Sequence, residues 1–149
     1  MEIERKFLIA KENLPKNLQD YPHHAIEQGY LSSEPVVRIR RQDGQYWLTY
    51  KSKGLMVREE YNLPLTEASY LHLREKADGI LIVKTRYRVP LPQGLTAELD
   101  VFHGKYEGLL LAEVEFDSEE AANRFTPPHW FGEDVTFSSL YHNSTMAYS

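Results

Sequence analysis

The chain has 149 residues and 17.4 kDa, 42% of them hydrophobic and 26% charged, proportions that fit one globular domain over residues 1–149. It contains no cysteine, which excludes disulfide frameworks, thiolate metal sites and a cysteine nucleophile and leaves oxygen ligands and histidine. Its 17 Lys and Arg against 22 Asp and Glu give a formal charge of -5, the wrong sign for holding nucleic acid through an overall field. No apolar run reaches the roughly eighteen residues of a membrane helix, and Met1 is followed by Glu2, Glu4, Arg5 and Lys6 rather than a signal-peptide core. The expectation is a cytoplasmic protein, monomer or homodimer, with neither nucleic acid nor membrane as partner.

In chain order, β-branched and aromatic runs predict eight strands, over residues 2–9, 25–31, 36–41, 46–52, 57–63, 80–89, 96–102 and 109–116. Turn signals separate them: Asp43-Gly44, Lys53-Gly54, Asp78-Gly79, Pro92-Gln93-Gly94 and His103-Gly104. Such closely spaced strands imply hairpins and an antiparallel sheet. Helical signals are fewer. Thr66 and Glu67 open a stretch carrying Ala68, Leu71, Leu73 and Ala77, and Ser118 caps residues 119–125. A weaker third, residues 11–18, is interrupted by Pro15. The order strand, helix, three strands occurs twice, the second time from Val57 onward. Together with a loose likeness of Glu2-Ile3-Glu4-Arg5-Lys6 to Arg58-Glu59-Glu60-Tyr61-Asn62, this suggests an internal duplication.

Charge is segregated along the chain. Between Val36 and Arg58 stand Arg38, Arg40, Arg41, Lys51, Lys53 and Arg58, opposed only by Asp43; between Glu107 and Glu120 stand six acids and no base. Residues two apart on a strand share a face about 7 Å apart. Glu2, Glu4 and Lys6 share one, as do Arg38 with Arg40, Lys51 with Lys53, Arg58 with Glu60, Lys84 with Arg86, Glu98 with Asp100, and Glu113 with Glu115. Apolar or aromatic residues often intervene. A charged face is ordinarily the wet outside of a sandwich, but a random exterior would mix Ser, Thr, Gln and Asn among the charges. Closing the sheet into a barrel puts the apolar parity outside, under the helices, and the charged parity around a central channel. Confined charges must pair, stay hydrated or hold a neutralising ligand, which points to a multiply charged one.

The residues now carry a family resemblance. Glu2-Ile3-Glu4-Arg5-Lys6 resembles the ExExK signature of the CYTH superfamily, the triphosphate tunnel metalloenzymes. Val37-Arg38-Ile39-Arg40, Thr49-Tyr50-Lys51, Lys84-Thr85-Arg86-Tyr87, Ala97-Glu98-Leu99-Asp100-Val101-Phe102 and Ala112-Glu113-Val114-Glu115-Phe116 follow in order, so the likeness spans nearly the whole chain and is closest to the short bacterial members. It implies an α+β fold: an eight-stranded antiparallel β-barrel, or tunnel, from two β-α-β-β-β halves with helices packed outside. It further implies divalent-metal-dependent hydrolysis of inorganic triphosphate to pyrophosphate and orthophosphate.

On that resemblance Glu2, Glu4, Glu113 and Glu115 are the metal-binding set for Mg2+ or Mn2+, and with Lys6 the catalytic set. Lys6, Arg38, Arg40, Lys51, Lys53, Arg58, Lys84 and Arg86 would bind the substrate, since a triphosphate of roughly four to five negative charges needs several bases to converge on it. A hard divalent cation would bridge carboxylate and phosphate oxygens. Glu60, Glu98 and Asp100 would either bind metal or pair with bases to keep the lumen ordered.

The remaining signals read more plainly. Six histidines, at 23, 24, 72, 103, 129 and 142, show no HxH or HExxH spacing, so surface or loop roles suffice. No Walker A, GxGxxG or GxSxG sequence occurs, which removes ordinary nucleotide-loop enzymes and serine hydrolases. Tyr46, Trp47, Tyr50, Tyr61 and Tyr87 read as exterior and helix packing. Residues 141–147 resemble a family segment whose terminal helix can close one tunnel mouth. Three readings stay open: an inorganic triphosphatase; an enzyme for thiamine triphosphate, a nucleoside triphosphate, longer polyphosphate or ATP cyclisation; and a non-catalytic polyphosphate-binding module.

Overall fold

The computed structural model describes residues 1–149. Nine strands form one antiparallel sheet: β1 (Glu2–Leu8), β2 (His23–Ser33), β3 (Val36–Gln42), β4 (Gln45–Lys51), β5 (Val57–Arg58), β6 (Glu60–Pro64), β7 (Asp78–Pro90), β8 (Thr96–His103) and β9 (Leu110–Glu115). Their order is β5-β1-β9-β8-β7-β2-β3-β4-β6. The extra strand arises because residues 57–63, expected as one strand, break at Glu59. Val57 and Arg58 pair with Ile3 and Glu2, whereas residues 60–64 pair with β4. One straight strand cannot bond both edges at once; a corner at Glu59 lets it, and the corner is pinned by Ser52, whose N–H donates to the Glu59 carbonyl and whose hydroxyl accepts the Glu59 N–H. Because β5 and β6 sit at opposite ends of the sheet order yet are adjacent in sequence, the sheet curls into a nearly closed barrel.

Exchanging β1 with β5/β6, β2 with β7, β3 with β8 and β4 with β9 leaves every neighbour relation unchanged, the topology a duplicated unit would produce. Two of the expected helices form. In α1 (Glu67–Arg74) the Thr66 hydroxyl accepts the Ser69 N–H at 3.1 Å, and in α2 (Glu119–Arg124) Ser118 does the same for Ala121 at 3.1 Å. Residues 11–18 give only short 3-10 turns at Lys11–Asn13 and Leu18–Asp20, since Pro15 removes a backbone donor inside the stretch.

The apolar parity points outward, as the alternation requires. Ile3, Phe7, Leu99, Ala112 and Val114 pack with Phe116, Ala122 and Phe131 beneath α2 and the segment after it. The inward parity changes character along the barrel. On β7, β8 and β9 the charged positions give way at one end to Ile82, Phe102 and Leu111, and these, with Tyr30 of β2, enclose Met146 and Ala147 of a terminal helix, α3 (Asn143–Tyr148). Full burial of such side chains is worth about 1.5–3 kcal/mol each, which fixes α3 in that end of the barrel. Its seat needs Gly79, where φ is +59° and a Cβ would stand 1.9 Å from the Ala147 carbonyl oxygen.

Candidate active site

The charged parity encloses a cavity of about 180 Å³ lined by 20 residues, of which only Tyr30 and Val36 are hydrophobic by type. The strands bring into it Glu2, Glu4 and Lys6 from β1, Arg38 and Arg40 from β3, Lys51 from β4, Arg58 from β5, Glu60 from β6, Lys84 and Arg86 from β7, Glu98 from β8, and Glu113 and Glu115 from β9. Two of the residues singled out in the sequence lie elsewhere. Asp100 shares the inward parity of Glu98 but does not line the cavity; it is wholly buried, ion-paired to Lys84 at 2.7 Å and to both Nε and Nη2 of Arg86 at 2.7 and 2.9 Å. Lys53 does not reach the cavity: β4 ends at Lys51, the chain turns at Gly54 with φ +133°, and the Lys53 side chain is 80% exposed beside Glu34 at 3.9 Å. Parity carries a side chain inward only while the strand lasts.

Four lining residues went unmarked in the sequence, Gln28, Tyr30, Val36 and Asn62, and two more, Asn143 and Ser144, come from the segment expected to close one tunnel mouth. His142 corrects the surface-or-loop reading, for it too lines the cavity. Burial, then Lys6 and Arg58, push its imidazole down to about 4, so it is neutral near pH 7.

The acidic side is crowded. Glu4, largely buried, is pushed up to about 8 by burial and then by Glu113, while Glu113 is held well below the usual carboxylate range because Lys6, Arg86, Lys84 and a hydrogen bond from Glu4 overcome its burial. Two carboxyls in one site cannot both ionise cheaply, so Glu4 carries the proton. Burial also raises Glu2, with Lys51 opposing. Glu115, at the solvent rim, is raised by burial and by Glu98 and Glu60. Glu60 goes the other way, to about 2, because Glu2, Lys51 and Asn62 outweigh its desolvation. Bases lie among these acids: Lys51 is 3.1 Å from Glu2 and 3.3 Å from Glu60, Arg58 is 3.6 Å from Glu2 and 3.9 Å from Glu4, and Lys6 and Arg86 are 3.8 and 3.7 Å from Glu113.

The basic side is held mainly by neutral groups. Arg38 donates from Nη2 to the Thr49 hydroxyl at 3.3 Å, and its buried Nε has no partner. Arg40 donates from Nε to Gln28 Oε1 at 2.9 Å; burial, then Arg38 and Arg86, bring it down to about 9. Neither arginine is among the ion pairs of the lumen, all of which lie on other residues. Lys84, 2.8 Å from Asn143 Oδ1, is brought by burial down to about 7 despite Asp100. The two guanidinium groups of Arg38 and Arg40, convergent and without carboxylate partners, make a cradle for a polyanion.

The carboxylate oxygens are hard donors of the kind Mg2+ and Mn2+ take. No three acidic or histidine side chains converge as a ready-made ligand cluster. A cation held by one or two carboxylates together with phosphate oxygens is the usual manner for Mg2+, and the proton that Glu4 keeps beside ionised Glu113 marks the crowding of negative charge such a cation would relieve.

A barrel with bases and acids facing one another around its bore defines a class, and comparison with known proteins agrees. The CYTH domain model matches residues 1–143, and the chain belongs to that family. It is 42% identical to an inorganic triphosphatase of Nitrosomonas europaea over 99% of this chain and 97% of that one, and 36% identical to an inorganic triphosphatase of Acetivibrio thermocellus over 97% and 92%. The crystal structure of the inorganic triphosphatase NE1496 superimposes with a TM-score of 0.74 at 39% identity, covering 100% of this chain and 95% of that one. The PH1819 protein of Pyrococcus horikoshii OT3 shares the fold at 20% identity, with a TM-score of 0.57 and about four-fifths of each chain covered.

Proposed function

We propose that residues 1–149 work as one tunnel domain that hydrolyses inorganic triphosphate to pyrophosphate and orthophosphate with the help of a divalent cation, in the cytoplasm. The observation that carries this is the division of the lumen: Arg38 and Arg40, free of carboxylate partners, stand across from the crowded Glu2, Glu4 and Glu113. The full-length likeness to two inorganic triphosphatases supports the substrate. No helix is long and apolar enough to cross a membrane.

The lumen lining holds seven bases against six acids, too little excess charge to balance a triphosphate of roughly four to five negative charges on its own. Mg2+ or Mn2+, held by one or two carboxylates of the set Glu2, Glu4, Glu113 and Glu115 together with phosphate oxygens, would add positive charge and act as a Lewis acid. Arg38, Arg40, Lys84 and Arg86 grip the phosphates, with Arg forks for paired oxygens and Lys as a movable point charge. Lys6, Lys51 and Arg58, between the two walls, serve both. Phosphoryl transfer asks chiefly for positioning and charge stabilisation. Water attacks the terminal phosphorus in line, its proton passes to a wall carboxylate, the phosphoanhydride bond breaks, and pyrophosphate leaves. Glu60, Glu98 and Asp100 act by pairing with Lys51, Arg86 and Lys84.

The test is release of orthophosphate from tripolyphosphate, ATP, thiamine triphosphate and long-chain polyphosphate, each with Mg2+, Mn2+ or EDTA. Tripolyphosphate should lead by at least tenfold in kcat/KM, with turnover abolished by EDTA. Binding without turnover would overturn the hydrolase, and a lead for another substrate would overturn the assignment.

A further inference from the structure

Gln28 is wholly buried and was absent from the charge pattern, yet it joins three parts of the lumen. The direction of each bond around it is forced. Lys84 Nζ can only donate, so Asn143 must present Oδ1 to it, at 2.8 Å. That same oxygen faces Gln28 at 3.0 Å, so Gln28 must turn its NH2 toward α3, where it also meets the Tyr30 hydroxyl at 2.9 Å. Its carbonyl oxygen is thereby left to accept from Arg40 Nε at 2.9 Å.

We propose, building on the anion-binding role of Arg40 given above, that Gln28 is a positioning residue that fixes the Arg40 guanidinium through a neutral acceptor and ties it, by way of Asn143, to the terminal helix. Neutrality is the point of the arrangement. A carboxylate here would hold Arg40 just as firmly but would cancel the charge it offers to a phosphate, whereas an amide orients the fork and leaves the charge intact. The chain Lys84–Asn143–Gln28–Arg40 thus links two bases from β7 and β3 through uncharged groups, so that α3 helps shape the cradle as well as filling the end of the barrel.

The test compares Gln28→Glu, Gln28→Met and Arg40→Met, singly and combined, after thermal melts establish which variants are folded. Two readouts are taken: affinity for tripolyphosphate without added metal, by calorimetry, and the split between KM and kcat with Mg2+. In folded Gln28→Glu, affinity should fall tenfold or more, with KM rising in step and kcat within about threefold. Gln28→Met should lose less. In the Arg40→Met background Gln28→Glu should cost under twofold, because its route of action is gone. Unchanged affinity in folded Gln28→Glu, or equal losses with and without Arg40, overturns the proposal. If Gln28→Glu fails to fold, Gln28→Met carries the same cycle. Metal-free binding is independent of turnover, so a wild type that binds tripolyphosphate without hydrolysing it refutes the hydrolase while leaving this cycle decisive.

Discussion

The two walls of the lumen solve opposite problems. The basic wall is quiet: Arg38 and Arg40 are held by Thr49 and Gln28, both neutral, and keep their charge on offer. The acidic wall is strained: Glu4 keeps a proton to about pH 8 because burial, and then the ionised Glu113 beside it, disfavour its charge. The basic wall offers two guanidinium charges without carboxylate partners, while the acidic wall crowds more carboxyls than it can ionise, and the difference points to an anion for one and a cation for the other.

The largest effect should come from breaking the acidic wall. Glu4→Gln combined with Glu113→Gln should lower kcat on tripolyphosphate by roughly 10²–10⁴-fold while leaving metal-free affinity for the anion equal or tighter, read by calorimetry. The basic wall should answer in the other parameter. Arg38→Met removes a charge-assisted contact worth about 1.5–3 kcal/mol, so KM should rise roughly 10–150-fold with a smaller change in kcat.

A third measurement separates the walls by pH. Glu4 binds its proton more tightly when folded, so metal-free stability should fall as pH rises from the ordinary carboxylate range near 4.5 to about 8. Lys84, lowered to about 7, contributes the reverse slope from about 7 up to its ordinary 10.5. Thermal melts should show the first slope vanish in Glu4→Gln and shrink in wild type with Mg2+. The smallest effect is a control outside both walls: Thr66→Ala should cost about 1 kcal/mol of stability through the lost cap of α1 and leave kcat and KM unchanged.

Much of this was legible before any coordinates, because alternation is a strong signal when charges recur on every strand. Glu2 with Glu4, Arg38 with Arg40, Lys84 with Arg86 and Glu113 with Glu115 face the lumen as their spacing required. What escaped depended on where strands stop and on what sits between the charges. Lys53 keeps the parity of Lys51 but lies past the strand's end. The corner at Glu59 has no glycine or proline to announce it; it exists because two edges needed one strand. Gln28, Asn143 and His142 are defined by what surrounds them, and their surroundings come from segments more than a hundred residues apart. The one local hint was Gln28 itself, a polar residue sharing a face with Ile26 and Tyr30.

The lumen draws on Glu2 at one extreme and Ser144 at the other, and β1 finds its main partner in β9. A growing chain on the ribosome therefore holds Glu2 and Glu4 without their neighbours until β9 and the residues up to Ser144 have been made. Such distant pairing is slow to form, so no cavity able to grip a phosphate exists while the segment between β1 and β9 is being made.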